Sequence, residues 1–578
     1  MKTIKTIILI GLIAFILPFT SCVDFLTPYN PQGLTEEMLY KTESGFESGI
    51  NGAYVYIRDI WGNKRSAYMM EGGTDLWIAG ENPAGDGMAL LNYNGLDGTN
   101  IYNGTHFWRP MYFAINQCNT MLKYTNYALP NLSVTREAEM RVLRSFFWWV
   151  LTENYGNIHL TTEPHSGDMK GIKASPEEVY NQIVKDLEFA ASGNNLPNTS
   201  ADLGRITKPV AEALLARMCL FSGRNDEAIT YAKNVINNYG YELETLDRLW
   251  DVKNQRENKE VIWFVPNNVL NGIEVANALY APPYYSFSRT GTQWRCGFIS
   301  SPLNETDGIF SNGRGQLMPS YRLLSLFDQN NDGRFNATFK SAWIANGNSG
   351  TLVGRQVYPT WTAQEAAEYN EYNNTTIAVS GQLRFVQGEI SLQLLFNNPA
   401  AKRFPQVAYN TLDETDLYDA TTQVPQEKNI YFQLKKHFDP TVESITITNR
   451  DFFLIRLAEM YLIIAEADFK LNGSNAPEGL KYLNELRKKR ATPTAEASFS
   501  NVTSIPNIDF ILDERARELC GEQFRWMDLR RTGKLLEYVR AYNPDAAPYI
   551  KEHHILRPYP ILQLNTMSNP EDFKQEGY

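Results

Sequence analysis

The sequence predicts a mainly α protein in which about four antiparallel helix pairs, eight helices in all, form a scaffold beside a large irregular, loop-rich lobe with short strands. Three observations predict this. Apolar residues recur at i, i+3 and i+4 through both ends of the chain, a spacing that gathers them on one helix face. Gly and Asn turns cut those stretches into pairs of roughly 30 to 40 residues. Between residues 241 and 450 the helical period fades, and Gly, Asn, Pro, Tyr and Trp become frequent.

The first pair is expected within 35–126. Thr35-Glu36-Glu37 can cap a helix that carries Phe46, Ile50, Tyr54 and Ile57. After a long insertion its partner runs from Phe107 to Tyr127, with Met111, Ile115, Cys118 and Leu122 on one side. The second pair, 136–193, opens with Arg136 to Tyr155 and stops at Gly156. Ser175-Pro176-Glu177-Glu178 then forms a capping box with proline at the first helical position, leading into Val179, Ile183 and Leu187. The third pair, 208–238, turns at Gly223-Arg224-Asn225. The fourth, 453–490, breaks at Asn472-Gly473, and Asn475-Ala476-Pro477-Glu478 is expected to cap its second helix. Small residues such as Ala211, Ala216, Ala458 and Ala465 face the partner helix. The pattern is that of tetratricopeptide-like stacking, where each pair buries its apolar face on the next. An ordinary helical bundle predicts much the same cores.

In the middle of the chain, short strands are expected at Glu260–Val265 and Ile445–Thr448. A stretch this long without structure is improbable inside a compact domain unless it forms a functional lobe. The expected division is therefore a leader at 1–21, helix pairs at 22–240, an irregular ligand-binding lobe at 241–450 and the last pair with a closing segment at 451–578.

The leader has a charged start at Lys2 and Lys5, an apolar run from Ile7 to Leu17, and a single cysteine at Cys22. That is a secretory signal with the cysteine where a bacterial lipoprotein is cut and acylated. The run is shorter than the ~20 residues a membrane span needs. The expectation is export, cleavage before Cys22, and a lipid anchor on a soluble chain. Taking Lys2 and Lys5 from the 54 Lys and Arg leaves 52 against 65 acids, or −13. This balance argues against nucleic acid as a partner and against electrostatic attachment to anionic lipid. Cys118, Cys219, Cys296 and Cys520 lie far apart and read as isolated buried thiols. The six histidines form no HExxH, so no metal or other cofactor is expected.

Five passages resemble the SusD/RagB family of outer-membrane nutrient-binding lipoproteins. They are Cys22-Val23-Asp24-Phe25-Leu26, Phe327-Asp328 with Asp332-Gly333-Arg334-Phe335, and Arg456-Leu457-Ala458-Glu459-Met460-Tyr461. The others are Glu514-Arg515-Ala516-Arg517-Glu518 with Glu522-Gln523-Phe524-Arg525-Trp526, and the tail Pro558-Tyr559-Pro560 to Gly577-Tyr578. Thr27 departs from the family's usual aspartate. The resemblance implies an outer-membrane lipoprotein facing the cell exterior, partnered with a SusC-type TonB-dependent transporter, that captures oligosaccharides without catalysis. A RagB-type peptide receptor is the alternative within the family.

Several motifs invite other readings. Asp513 and Arg517 stand at i,i+4, and Glu522 and Arg525 at i,i+3; these are expected to pair as a structural network, since no nucleophile and base accompany them. Asp328 to Gly333 mimics the start of an EF-hand loop, but Phe339 occupies the place of the bidentate glutamate, so a structural calcium ion has weak support. Aromatic loops are the better lead. A flat ring covers the C–H face of a sugar while Asn, Asp or Arg reach its hydroxyl rim. Two segments combine these types: Asp75, Trp77, Tyr93 and Asn94, then Tyr284, Tyr285, Arg289 and Trp294. These eight are the expected ligand contacts. A secreted helical glycan-cleaving enzyme and a scaffold that binds only proteins are the readings outside this class.

Overall fold

The computed structural model describes residues 35–267 except 81, 82 and 84, then 316–344, parts of 351–437, and 449–578. Eight helices stack in one run among these residues: α1 (Glu43–Ile60), α2 (Arg109–Lys123), α3 (Ser133–Tyr155), α4 (Pro176–Ala191), α5 (Lys208–Phe221), α6 (Asn225–Asn238), α7 (Leu457–Asn472) and α8 (Pro477–Arg490). Each helix packs on the next, and α6 packs directly on α7 although residues 239–456 separate them in sequence. The fold is therefore mainly helical with a paired-helix scaffold, as the periodicity predicts.

Local chemistry fixes the ends of these helices. Thr35 caps only a one-turn helix, Glu36–Tyr40; the long α1 has its own cap in Thr42, whose hydroxyl accepts the Gly45 N–H at 3.1 Å. The Ser175 capping box forms in both directions, with Glu178 N–H to Ser175 Oγ at 3.3 Å and Ser175 N–H to Glu178 Oε2 at 2.8 Å. Asn475 does not cap α8. The carboxylate of Asp468, on the preceding helix, accepts the Gly479 N–H at 2.8 Å instead. Helix α8 is thus capped by the neighbour it packs on, which no local motif could reveal.

Helix α7 begins four residues later than periodicity suggests. Phe452–Arg456 is strand β4, antiparallel to β2 (Val261–Val265), with Phe453 opposite Phe264 and Arg456 opposite Val261. A run of five buried residues looks the same in a buried strand and a buried helix, so spacing alone misplaced this boundary. Strands β1 (Trp77–Ala79) and β3 (Leu317–Pro319) form a second antiparallel pair. The strand expected at Ile445–Thr448 lies outside the described residues.

The core is continuous along the stack, from Phe46 and Ile50 through Phe146 and Trp149 to Leu462 and Leu486. Buried ion pairs cross it. Arg144 on α3 grips Asp186 on α4 at 2.6 Å, and Arg217 on α5 grips Glu459 on α7 at 2.6 and 2.8 Å. Cys118, Cys219 and Cys520 are free and buried, as expected, and Cys296 lies outside the described residues; burial pushes the Cys118 and Cys219 thiols up to about 12, which disfavours the reactive thiolate.

At Gly479 α7 and α8 approach closely: an added Cβ would stand 3.0 Å from the Ala465 carbonyl oxygen. Gly479→Val should cost about 1–3 kcal/mol, as overpacking does. A lowered urea midpoint checks this; an unchanged midpoint would mean that the helices part freely.

Candidate functional site

The first group of expected contacts lies at β1, with Asp75 just before it, and in the turn after the helix Gly85–Asn92, which holds Tyr93 and Asn94. Asp75 is fully buried, and its carboxylate takes two hydrogen bonds from Arg525, Nε to Oδ1 at 2.8 Å and Nη2 to Oδ2 at 2.6 Å. Its carbonyl accepts the Ser320 hydroxyl at 2.6 Å. Trp77 has no accessible surface and pairs across the sheet with Pro319. Tyr93 is 2% exposed; its hydroxyl donates to Gly73 O at 2.8 Å, and the Arg557 guanidinium lies 5.7 Å from its ring. Only Asn94 faces solvent. A ring with no accessible face cannot stack on a sugar, so Trp77 and Tyr93 serve the core in this structure, and Asp75 serves a buried ion pair. The second group, Tyr284, Tyr285, Arg289 and Trp294, lies outside the described residues.

The reason sequence reasoning placed Asp75 and Trp77 at a surface is physical. A three-residue strand is too short to show which face is buried, and the partner of Asp75 is 450 residues away. Trp77→Ala should lower stability by about 3–5 kcal/mol, as for other buried Trp truncations. Chemical denaturation measures it; a variant of unchanged stability with altered ligand binding would return Trp77 to the site.

The carboxyl-terminal Glu/Arg cluster is a network, but not with the pairs that spacing suggested. Asp513 pairs with Arg322, and Arg517 with Glu514 at 2.6 Å. Glu522 pairs with Arg456 at 2.7 Å and Lys436 at 3.0 Å, while Arg525 turns to Asp75. At the centre, Glu518 on α9 (Ile508–Leu519) accepts from Arg456 and Arg490, both at 3.0 Å, and from Arg334 at 3.3 Å. Burial pushes the Glu518 carboxyl up, yet Arg490, Arg456 and Arg334 together hold it well below the usual carboxylate range. A general acid must release and regain its proton near working pH. Buried carboxylates clamped as anions do not, so this cluster holds the fold.

The Asp328–Gly333 loop is satisfied internally. Both Asp332 oxygens accept from Arg334, with Nη2 to Oδ2 at 2.7 Å, and the Asp328 oxygens accept from Asn330 N–H and Asn331 Nδ2. Thr492 donates to the carbonyls of Asn330 and Asn331 at 2.9 Å each. The Asp328 and Asp332 carboxylates that a calcium ion would need are thus engaged by protein donors. Among the described residues no group of three or more His, Cys, Asp or Glu is arranged to hold a metal ion.

Two features carry no sequence signal. Glu71 is buried beside the turn before α10 (Arg525–Arg531), where Gln523 adopts φ 72° and donates its N–H to Glu71 Oε1 at 2.7 Å. Burial raises its carboxyl from 4.5 to about 8. The folded state therefore keeps a proton that the unfolded chain has lost between those values. Stability falls as pH rises through this window. Glu71→Gln should match the wild type near pH 5 and exceed it at pH 8.5; denaturation midpoints that differ equally at both pH values would contradict the assignment. The second feature is a cavity of about 1120 Å³ between the end of α8 and the 245–252 turn, with Trp250 in its wall. Trp250 is an isolated aromatic in the sequence, and nothing near it pointed to a cavity.

Comparison with known proteins places this architecture. The SusD family model matches residues 259–555, and a second model, described as starch-binding associating with outer membrane, matches residues 84–220. The chain belongs to the SusD family. Two SusD-like proteins of Formosa agariphila resemble it along nearly its whole length: one is 24% identical over 560 residues, covering 94% of each chain, and the other 22% identical over 581 residues, covering 96% of this chain and 97% of its own. Among solved structures, a laminarin binding SusD-like protein is 23% identical, covers 91% of this chain and 98% of its own, and superposes with a TM-score of 0.59. Surface glycan-binding protein A from Bacteroides thetaiotaomicron in complex with laminarihexaose is 18% identical, covers 92% and 98%, and gives a TM-score of 0.60. Among the described residues no helix is long and apolar enough to cross a membrane.

Proposed function

We propose that this protein is a non-catalytic receptor that binds an oligosaccharide at the outer face of the outer membrane and delivers it to a SusC-type TonB-dependent transporter. The observation that carries the reading is family membership over the length of the chain, with solved structures of the same fold described as binding laminarin and laminarihexaose. The lipoprotein signal ending at Cys22 supports the location, because two or more acyl chains anchor a soluble domain stably. A membrane-associated family model supports it further. The acidic balance of the chain suits a neutral ligand better than a polyanion.

Within this reading the stacking contacts are Tyr284, Tyr285 and Trp294, with Arg289 and Asn94 reaching hydroxyls. Each stacked ring contributes about 0.5–1.5 kcal/mol beyond its buried area. Loss of two rings, Tyr285→Ala with Trp294→Ala, should therefore weaken binding by roughly 5- to 150-fold. Isothermal titration against a panel of neutral oligosaccharides measures this. Full-strength binding by the double variant would remove these residues from the site, and turnover of any of the saccharides would replace the receptor by an enzyme. Cys22→Ser should release the protein from the membrane fraction.

A further inference from the structure

We propose that the cavity beside Trp250 is a saccharide site built by residues other than the aromatics named above, and that it takes an uncharged oligosaccharide. The inference rests on the glycan-receptor reading and adds a place where the chain grips its ligand.

The cavity is built by the end of α8, the 245–252 turn and the short helix Arg334–Thr338. Helix α8 ends in Arg487-Lys488-Lys489-Arg490. Arg487 turns inward to Glu514 and Arg490 to Glu260 and Glu518. The alternate pair, Lys488 and Lys489, is exposed and lines the cavity. Neither lysine makes an ion pair among the described residues, and neither do Asp247 and Glu485 in the same wall. Charges of both signs thus face one space with no ion pair between them among the described residues.

Trp250 gives this polar wall a rigid apolar element. Phe453 stacks on it with centroids 5.7 Å apart at 26°, and Lys436 and Arg456 lie 5.0 and 5.3 Å from its ring. Both cations belong to the buried Glu518–Glu522 cluster, so that cluster fixes the indole in place. Arg450, itself 5% exposed, donates to the Trp250 carbonyl at 2.6 Å and reaches the same wall.

The chemistry selects the ligand. Lys435, Arg450, Lys488 and Lys489 are balanced by Asp247, Asp251, Glu485 and Glu496, so the wall presents no net field to attract a polyion. A hydroxyl both donates and accepts, so one sugar ring can serve an ammonium and a carboxylate together. A peptide is usually gripped by pairing to a strand edge, whereas these walls are helix ends and turns. The volume, about 1120 Å³, exceeds the roughly 300–1,000 Å³ of ordinary small-molecule sites and leaves room for several sugar rings.

The test is titration of the full chain with laminarihexaose, cellohexaose and mannohexaose. The variants are Lys488→Ala with Lys489→Ala, Asp247→Asn, and Tyr285→Ala with Trp294→Ala. The lysines and Asp247 are exposed, so folding should be unaffected, which melting curves check. The expected result is that residual binding persists in the Tyr285/Trp294 variant and falls at least tenfold when the lysine pair is also removed. Asp247→Asn should weaken the same residual binding. If the Tyr285/Trp294 variant loses all binding and the lysine variant matches wild type, the receptor reading stands and the cavity site is overturned. If none of the three saccharides binds the wild type, both are overturned.

Discussion

A guanidinium taken out of water is costly unless carboxylates meet it there, and most of the buried arginines of this fold are met in that way. Glu518 is the clearest case. It gathers Arg334, Arg456 and Arg490, which come from the segment after the Asp328 loop, from β4 and from the last turn of α8. Glu260, at the start of β2, closes the set by accepting from Arg456 and Arg490 at 2.6 Å each. Removing one partner from such a cluster strands a buried charge, which typically costs about 3–5 kcal/mol. The cluster is therefore less a source of net stability than a specification of which segments must meet.

That specification explains how a helical stack survives a long interruption. After α6 the next helix of the stack, α7, comes only at Leu457. Its place is fixed three times. β4 pairs with β2, Arg217 on α5 grips Glu459 on α7, and Arg456 joins Glu260 to Glu518 and Glu522. Helix α10 is tied to Asp75 through Arg525 and to Glu466 on α7 through Arg531 at 2.7 Å. The wall of Trp250 rests on the same cations, so the scaffold's interior charge also sets the shape of a surface cavity.

Helix positions were legible because a 3.6-residue period and a capping box are local signals; Ser175 with Glu178 formed as its spacing required. The Glu and Arg residues of the 513–531 segment were legible as a structural network, but their partners were not. Spacing proposed Asp513 with Arg517 and Glu522 with Arg525; instead Asp513, Glu522 and Arg525 take partners from far along the chain, and Arg517 pairs with Glu514. The aromatic candidates show the same divide. Trp77 and Tyr93 have the composition of a sugar platform, and their neighbours in space bury them.

The sequence by itself determined the helical pairs, the interruption between the third and fourth, and the family, because each is written in residues close together along the chain or in an ordered series of motifs. Tertiary structure alone decided which charges pair, which rings are accessible, that Asp468 caps α8, and that burial raises the Glu71 carboxyl. Those properties depend on desolvation and on distances between residues hundreds of positions apart. A linear pattern carries no record of either.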